Sequence, residues 1–235
     1  MSQFNVYTHA ERPEFVEQRD RTADAWAKFM YEDPIANQYW DDLYDYFPEY
    51  QIWITNEDDK LIAEGNTIPF AWDMAHEPLP DAGWDAVVPA GVNGHSQGLQ
   101  PNMLSALAAT IAPMVQGQGI SALILKTMKK IAVEHGLNGF VAPVRPSQKH
   151  RYPLTPMERY ITWKHTDGEA PFDPWLRTHW RLGARIVKVA PQSMTIPGTV
   201  AEWESWTEMR FPESGTYVVP RALNPVRIDL EHDQG

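Results

Sequence analysis

The stretch Gln116-Gly117-Gln118-Gly119-Ile120-Ser121 lies between two segments of contrasting pattern. Before it, Met103 to Ala112 is a run of small and apolar residues closed by Pro113, which reads as a strand. After it, Ile120, Leu123, Ile124, Met128, Ile131 and Ala132 recur at helical spacing, and His135-Gly136 stops the helix. Gly139-Phe140-Val141-Ala142-Pro143-Val144 is a short apolar strand. The order strand, glycine turn, helix, strand calls for a sheet with a helix packed on it. The turn presents backbone N–H groups at the positive end of a helix dipole, an arrangement suited to phosphate or pyrophosphate.

Two familiar phosphate loops fit poorly. The nucleoside-triphosphate loop needs Gly-Lys-Ser/Thr, and no Lys follows Gly119. The dinucleotide fingerprint needs a third glycine and, about twenty residues later, an acidic residue ending the next strand. Here Ala122 follows Ser121, and the next strand runs into Val144-Arg145.

Elsewhere the pattern predicts a helix over Glu14 to Glu32, carried by Phe15, Ala23, Trp26, Phe29 and Met30, and a second over Pro34 to Tyr46. Tyr39, Trp40, Leu43 and Tyr46 form an aromatic stripe on the latter, read either as core or as a pocket wall. Gln51 to Thr55 and Lys60 to Asn66 flank a turn, Asn56-Glu57-Asp58-Asp59, and form a hairpin. Residues 74 to 101, rich in Pro and Gly, read as a loop with one short helix around Trp84. Asp173-Pro174 opens a helix from Trp175 to Leu182 that Gly183 closes. Ala184 to Val189 reads as a strand, Ala201 to Thr207 as a small helix and Thr216 to Val219 as a further strand.

Composition narrows the function. With 31 acidic and 20 basic residues the net charge is −11, which argues against a nucleic-acid surface and mildly favours a cationic or neutral substrate. The absence of Cys excludes thiolate chemistry and thiolate zinc sites. The histidines show no ligand spacing, so no metal is expected. Met1-Ser2-Gln3-Phe4-Asn5-Val6 leads into no apolar signal core, and Leu104 to Val115 is too short to span a bilayer. The expectation is a cytoplasmic protein with no membrane or nucleic-acid partner; homodimerisation stays open.

The loop Gln116 to Ser121 resembles the pyrophosphate motif of GNAT acyltransferases, Gln/Arg-x-x-Gly-x-Gly/Ala, with Ser121 at the last small position. His179-Trp180-Arg181-Leu182-Gly183-Ala184 is similar to that family's later helix end, Tyr-x-x-Leu-Gly-Phe. The resemblance spans the order of elements from about residue 51 to 190. It implies an α/β (α+β) fold of one domain over residues 1–235: a mixed, mostly antiparallel twisted sheet flanked by helices, with a splayed central strand pair. An inserted loop would occupy about 145–172 and a C-terminal extension about 191–235.

It also implies acetyl-CoA or another acyl-CoA as co-substrate, held by the amides of Met114, Val115, Gln116, Gly117, Gln118, Gly119, Ile120 and Ser121. Pro113, Met114 and Val115 would be the splayed strand along the pantetheine, with an oxyanion donor at Met114 or Val115. The reaction implied is direct aminolysis, moving the acyl group to a small-molecule amine. His179 stands where the family has a Tyr that reprotonates the CoA thiolate, and a histidinium can donate that proton.

The run Met103 to Val115 contains no Asp, Glu or His, so a base must come from elsewhere. Glu64, Asp73, Glu158 and His165 are the candidates, with an ordinary surface charge as the plainer reading of each. In the insertion, Lys149, His150, Arg151 and Arg159 with Tyr152, Tyr160 and Trp163 are read as a substrate lid, a contact for the CoA 3′-phosphate or a solvated basic loop. Two other functions stay open: a non-catalytic acyl-CoA-binding protein, and O-acyl or longer-chain transfer on the same scaffold.

Overall fold

The computed structural model describes residues 4–22, 26–73, 76–166 and 168–235; Met1 to Gln3 and Ala23 of the expected first helix fall outside them. The described residues divide into two compact units. The first comprises residues up to Trp26, Ile35–Pro143 and Ala190–Met194; the second comprises Ala27–Pro34, Val144–Val189 and Thr195–Gly235.

In the first unit, strands β1 (Asn5–Thr8), β2 (Gln51–Thr55), β3 (Leu61–Phe70), β4 (Met103–Ile111) and β5 (Gly139–Val141) form one sheet in that order. Every pairing is antiparallel except β4 with β5. Its α-helices are α1 (Pro34–Tyr39, from Ile35 on), α2 (Asp42–Tyr46), α3 (Trp84–Ser96) and α4 (Ile120–Glu134). The first unit is thus a mixed, mostly antiparallel sheet with flanking helices, as the resemblance implied.

All residues of β2 and β3 are buried, because helices cover both faces of the sheet. On one face α4 docks through Ile120, Ile124, Leu125, Met128, Ile131 and Ala132, the stripe expected from helical spacing. Gly65 makes that approach close. A β-carbon there would sit 2.7 Å from Ile124 Cγ2 and 3.0 Å from Met128 Cε. The C-terminus of α4 is a Schellman motif: Leu137 N–H donates to Ala132 O and Gly136 N–H to Val133 O, with Gly136 at φ 69°.

The opposite face carries Trp53, Glu64 and Asn66. Trp53 Nε1 and Asn66 Oδ1 are buried there without a hydrogen-bond partner among the described residues, whereas other polar atoms of the face are paired. Asn66 Nδ2 donates to Tyr44 Oη at 2.9 Å, and Gln51 Nε2 donates to Phe47 O and Thr67 O.

Several expectations are corrected. The segment Glu14 to Glu32 is not one α-helix but two 3₁₀ segments, Pro13–Arg21 and Lys28–Glu32, with extended backbone at Ala27 before the second. The helix near Trp84 has 13 residues and accommodates Pro89. Gly91 serves packing: a β-carbon there would collide with Ile68 of β3. Pro113–Val115 is a 3₁₀ turn, not a strand. Residues 184–189 form no strand: Ile186 and Val187 are exposed and have no sheet edge to join.

The second unit contains α5 (Met157–Tyr160), α6 (Pro174–Arg181), α7 (Val200–Thr207) and the hairpin β6 (Gly215–Tyr217) and β7 (Val226–Ile228). Its aromatic centre packs Tyr152, Tyr160, Trp163 and Phe172 edge to face and tilted, with centroids 4.9–6.1 Å apart. Asp173 organises the segment as the N-cap of α6. Its carboxylate accepts from Ser147 N–H and Oγ–H, Gln148 N–H, Tyr160 Oη–H, Trp175 N–H and Leu176 N–H. Lys149 is fully buried and donates to Tyr152 O and Leu223 O, so it is a structural cation and not a ligand for the CoA 3′-phosphate.

Candidate active site

The edge of β4 is where the sheet opens. β5 pairs with it only at Met103, Leu104 and Ser105; beyond them, Ala106 to Ile111 have no strand partner on that side among the described residues. On the other side a bulge interrupts the pairing with β3, because Asn66 faces Ala108 and Thr67 faces Ala106, leaving Leu107 as the extra residue. The parallel pair therefore splays, and one strand is left with unpaired backbone groups facing the gap.

Next in the chain, Pro113–Val115 turns the backbone toward α4. Val115 N–H is spent on Ala112 O, whereas Met114 N–H has no acceptor among the described residues and its side chain is exposed. Gly117 and Gly119 follow with φ of 80° and 82°, the left-handed region that β-carbons resist. Nothing lies within 4 Å of where a β-carbon would sit on either, so their faces are open. Gly119 caps α4, and its carbonyl accepts from Ala122 and Leu123 N–H. The amides of Gln118, Gly119, Ile120 and Ser121 make no hydrogen bond to any described group. A row of amides at the start of a 15-residue helix is a strong site for a pyrophosphate.

The face of β3 opposite α4 supplies a second feature, which sequence reasoning did not assemble. Trp84 Nε1–H donates to Leu107 O at the bulge, 3.1 Å away. Trp84 stacks on Trp40, with ring centroids 6.3 Å apart. Arg19 lies over Trp40 and Tyr44, and its Nε–H donates to Glu64 Oε2 at 3.2 Å. Thr22 Oγ1–H donates to the other Glu64 oxygen at 3.0 Å. An aromatic and charged wall thus runs from Arg19 to the open strand. Glu64, a candidate base, is instead occupied by these two donors.

A comparison of the whole chain settles its kinship. It is 32% identical to the arginine N-acetyltransferase avaD of Aspergillus versicolor over 258 residues, covering 96% of this chain and 88% of that protein. The chain belongs to the GNAT superfamily of acyl-CoA N-acyltransferases. As a GNAT enzyme it transfers an acyl group from acyl-CoA to an amine, and acyl-CoA is its co-substrate. No family model matches the chain.

Two solved structures share the GNAT fold with it. The loading GNATL domain of CurA from Lyngbya majuscula superposes with a TM-score of 0.64 at 20% identity, over 87% of this chain and 94% of that one. The GphF GNAT-like decarboxylase in complex with isobutyryl-CoA gives 0.51 at 17% identity, over 81% and 94%. No helix of this GNAT chain is long and apolar enough to cross a membrane, and no group of metal-ligating side chains occurs among the described residues.

Of the other expected residues of the GNAT site, His179, Glu158 and His165 lie in the second unit and Asp73 in the first. His179 sits in the last turn of α6, edge-on to Trp175, and its Nδ1 lies 2.9 Å from Trp175 O. A carbonyl only accepts, so Nδ1 carries the proton and Nε2 holds a lone pair in the neutral ring. Burial lowers the pKa of this ring; the Trp175 carbonyl and Asp173 oppose that in part. Glu158 is exposed in the first turn of α5 and has no described partner. Asp73 is paired with His76 at 2.7 Å on an exposed segment, and His165 belongs to the loop bridged by Lys164 and Pro171.

Proposed function

We propose that the donor is acetyl-CoA and that the acceptor is the α-amine of arginine. The relation to an arginine N-acetyltransferase along almost the entire chain carries this reading. The excess of 31 acidic over 20 basic residues supports it, because a negative surface attracts a cationic acceptor. The guanidinium of arginine stays protonated and has no lone pair to attack, whereas its α-amine deprotonates far more readily.

In this reading the amides of residues 118–121 hold the CoA pyrophosphate, Gln116 N–H being spent on Pro113 O, and the open edge of β4 with Met114 N–H receives the pantetheine and the thioester oxygen. The amine nitrogen attacks the carbonyl carbon, a C–N bond forms, and the C–S bond breaks to release the CoA thiolate. The proton lost by the amine needs an acceptor. The lowered pKa of His179 and its free Nε2 give that ring the chemistry of an acceptor rather than of the donor implied by its place in the motif. Glu158, exposed and unsupported, has no role in this scheme. The insertion 145–172 and the segment 191–235 are elaborations of one GNAT domain.

Thiol release from acetyl-CoA, followed with L-arginine, L-lysine, agmatine and other small amines, tests the proposal, with the product identified by mass spectrometry. Turnover of arginine well above the other amines supports it. Turnover of a different amine, with arginine inert, would reject arginine and leave the acyltransferase assignment intact.

A further inference from the structure

Arg145 carries a half-buried guanidinium in the second unit, and its one hydrogen bond runs from Nη2 to Arg221 O at 2.6 Å. It makes no ion pair among the described residues. The charge acting on it is another cation, Arg221, whose backbone adopts φ 67° as it offers that carbonyl. Burial together with this neighbour lowers the Arg145 pKa to about 10, still far above neutrality.

Other buried or half-buried cations of the unit are better served. Lys149 Nζ donates to two carbonyls, and Arg177 Nη1 donates to Pro171 O and Phe172 O. A guanidinium has five N–H donors in a planar fork, so most of the fork of Arg145 is unused. Withdrawing a charge from water without an opposite charge is costly, and such a site is completed by an anion.

We propose that Arg145 is an oxyanion-binding residue of this enzyme, taking a substrate's carboxylate or phosphate in its fork. Two substrate groups have this chemistry. One is the carboxylate of an amino-acid acceptor, which rests on the arginine reading above; the other is the 3′-phosphate of CoA, which does not.

The first test is independent of the acceptor: thermal unfolding of the full chain titrated with inorganic phosphate and, separately, with acetate. At least one anion should raise the Tm of the wild type saturably, and Arg145→Gln should lose that increment. Arg145→Lys, which keeps the charge without the fork, should retain only part of it. Kinetics then identify the source. If the group is the carboxylate, Arg145→Gln raises KM for L-arginine by about a hundredfold and leaves agmatine, which lacks it, unchanged. If it is the phosphate, the same rise appears for acetyl-CoA and not for acetyl-dephospho-CoA.

Equal anion increments in wild type and variant, or none in either, would overturn the site. An increment lost in the variant with no KM affected would overturn its assignment to a substrate. Should the wild type not acetylate arginine at all, the acceptor reading fails while the anion titrations and the CoA pair still decide on Arg145.

Discussion

Replacing Asp173 by Ala should unfold the second unit selectively. The substitution removes the N-cap of α6, worth about 1 kcal/mol, since Trp175 and Leu176 N–H both donate to Oδ1. It also strands the hydroxyl of Tyr160, which is buried and donates to Oδ2 at 2.9 Å. A hydrogen bond to a charged acceptor contributes about 1.5–3 kcal/mol, and a buried donor left unmade adds a desolvation penalty. Gln148 N–H, 2.8 Å from the same oxygen, loses its acceptor too. The expected loss is about 4 kcal/mol. Asp173→Asn keeps a good cap and one oxygen, but sets an NH₂ against donors, so about half of that loss is expected. Urea unfolding followed by fluorescence gives the magnitude, and hydrogen exchange of peptides spanning 147–182 gives the location. A loss no larger than that of a cap alone, about 1 kcal/mol, would refute the view that this carboxylate joins the segment Ser147–Gln148, Tyr160 and α6.

Three further outcomes are expected. Gly117→Glu with Gly119→Glu puts two carboxylates where the amides face out and forces side chains into left-handed backbone; CoA affinity by titration calorimetry should fall about a hundredfold. Gly65→Ala should cost about 1–3 kcal/mol through overpacking against Ile124, and in a double-mutant cycle Ile124→Ala should cost less in its presence than alone. For His179 the folded pKa lies below the ordinary 6.5, so the unfolded chain binds its proton first as pH falls. The stability this neutral ring contributes is therefore complete above pH 6.5 and is lost as pH drops toward its folded value. The acid limb of kcat/KM should likewise lie below 6.5 and should vanish in His179→Gln.

Local chemistry made part of this legible. The hairpin at 51–66, the whole of α4 with its glycine stop, and the Asp173 cap follow from rules that act within a few residues. What escaped depended on distant partners. Gly91 and Pro89 read as loop residues, yet Gly91 is small because α3 lies directly on Ile68. Residues 184–189 are rich in β-branched residues, as a strand would be, but a strand needs an edge to join, and composition does not report whether one is free. The wall of Arg19, Trp40 and Trp84 joins three separate segments, so no spacing rule connects them. Lys149 looked like a phosphate ligand because its charge is visible in sequence and its burial is not.

The start of α3 has a consequence for how the protein is made. Gly83 lends the helix no side-chain cap; instead Ser193 Oγ accepts from Trp84 N–H, and Asp85 accepts from Met194 N–H. Both partners lie 109 residues downstream, across the stretch that builds the second unit. During translation the first unit thus emerges with α3 uncapped, and Trp84, which fixes the Leu107 carbonyl, lacks its final anchor until residue 194 has left the ribosome. A nascent chain stalled before that point would hold its sheet without the anchored Trp84 that fixes the Leu107 carbonyl.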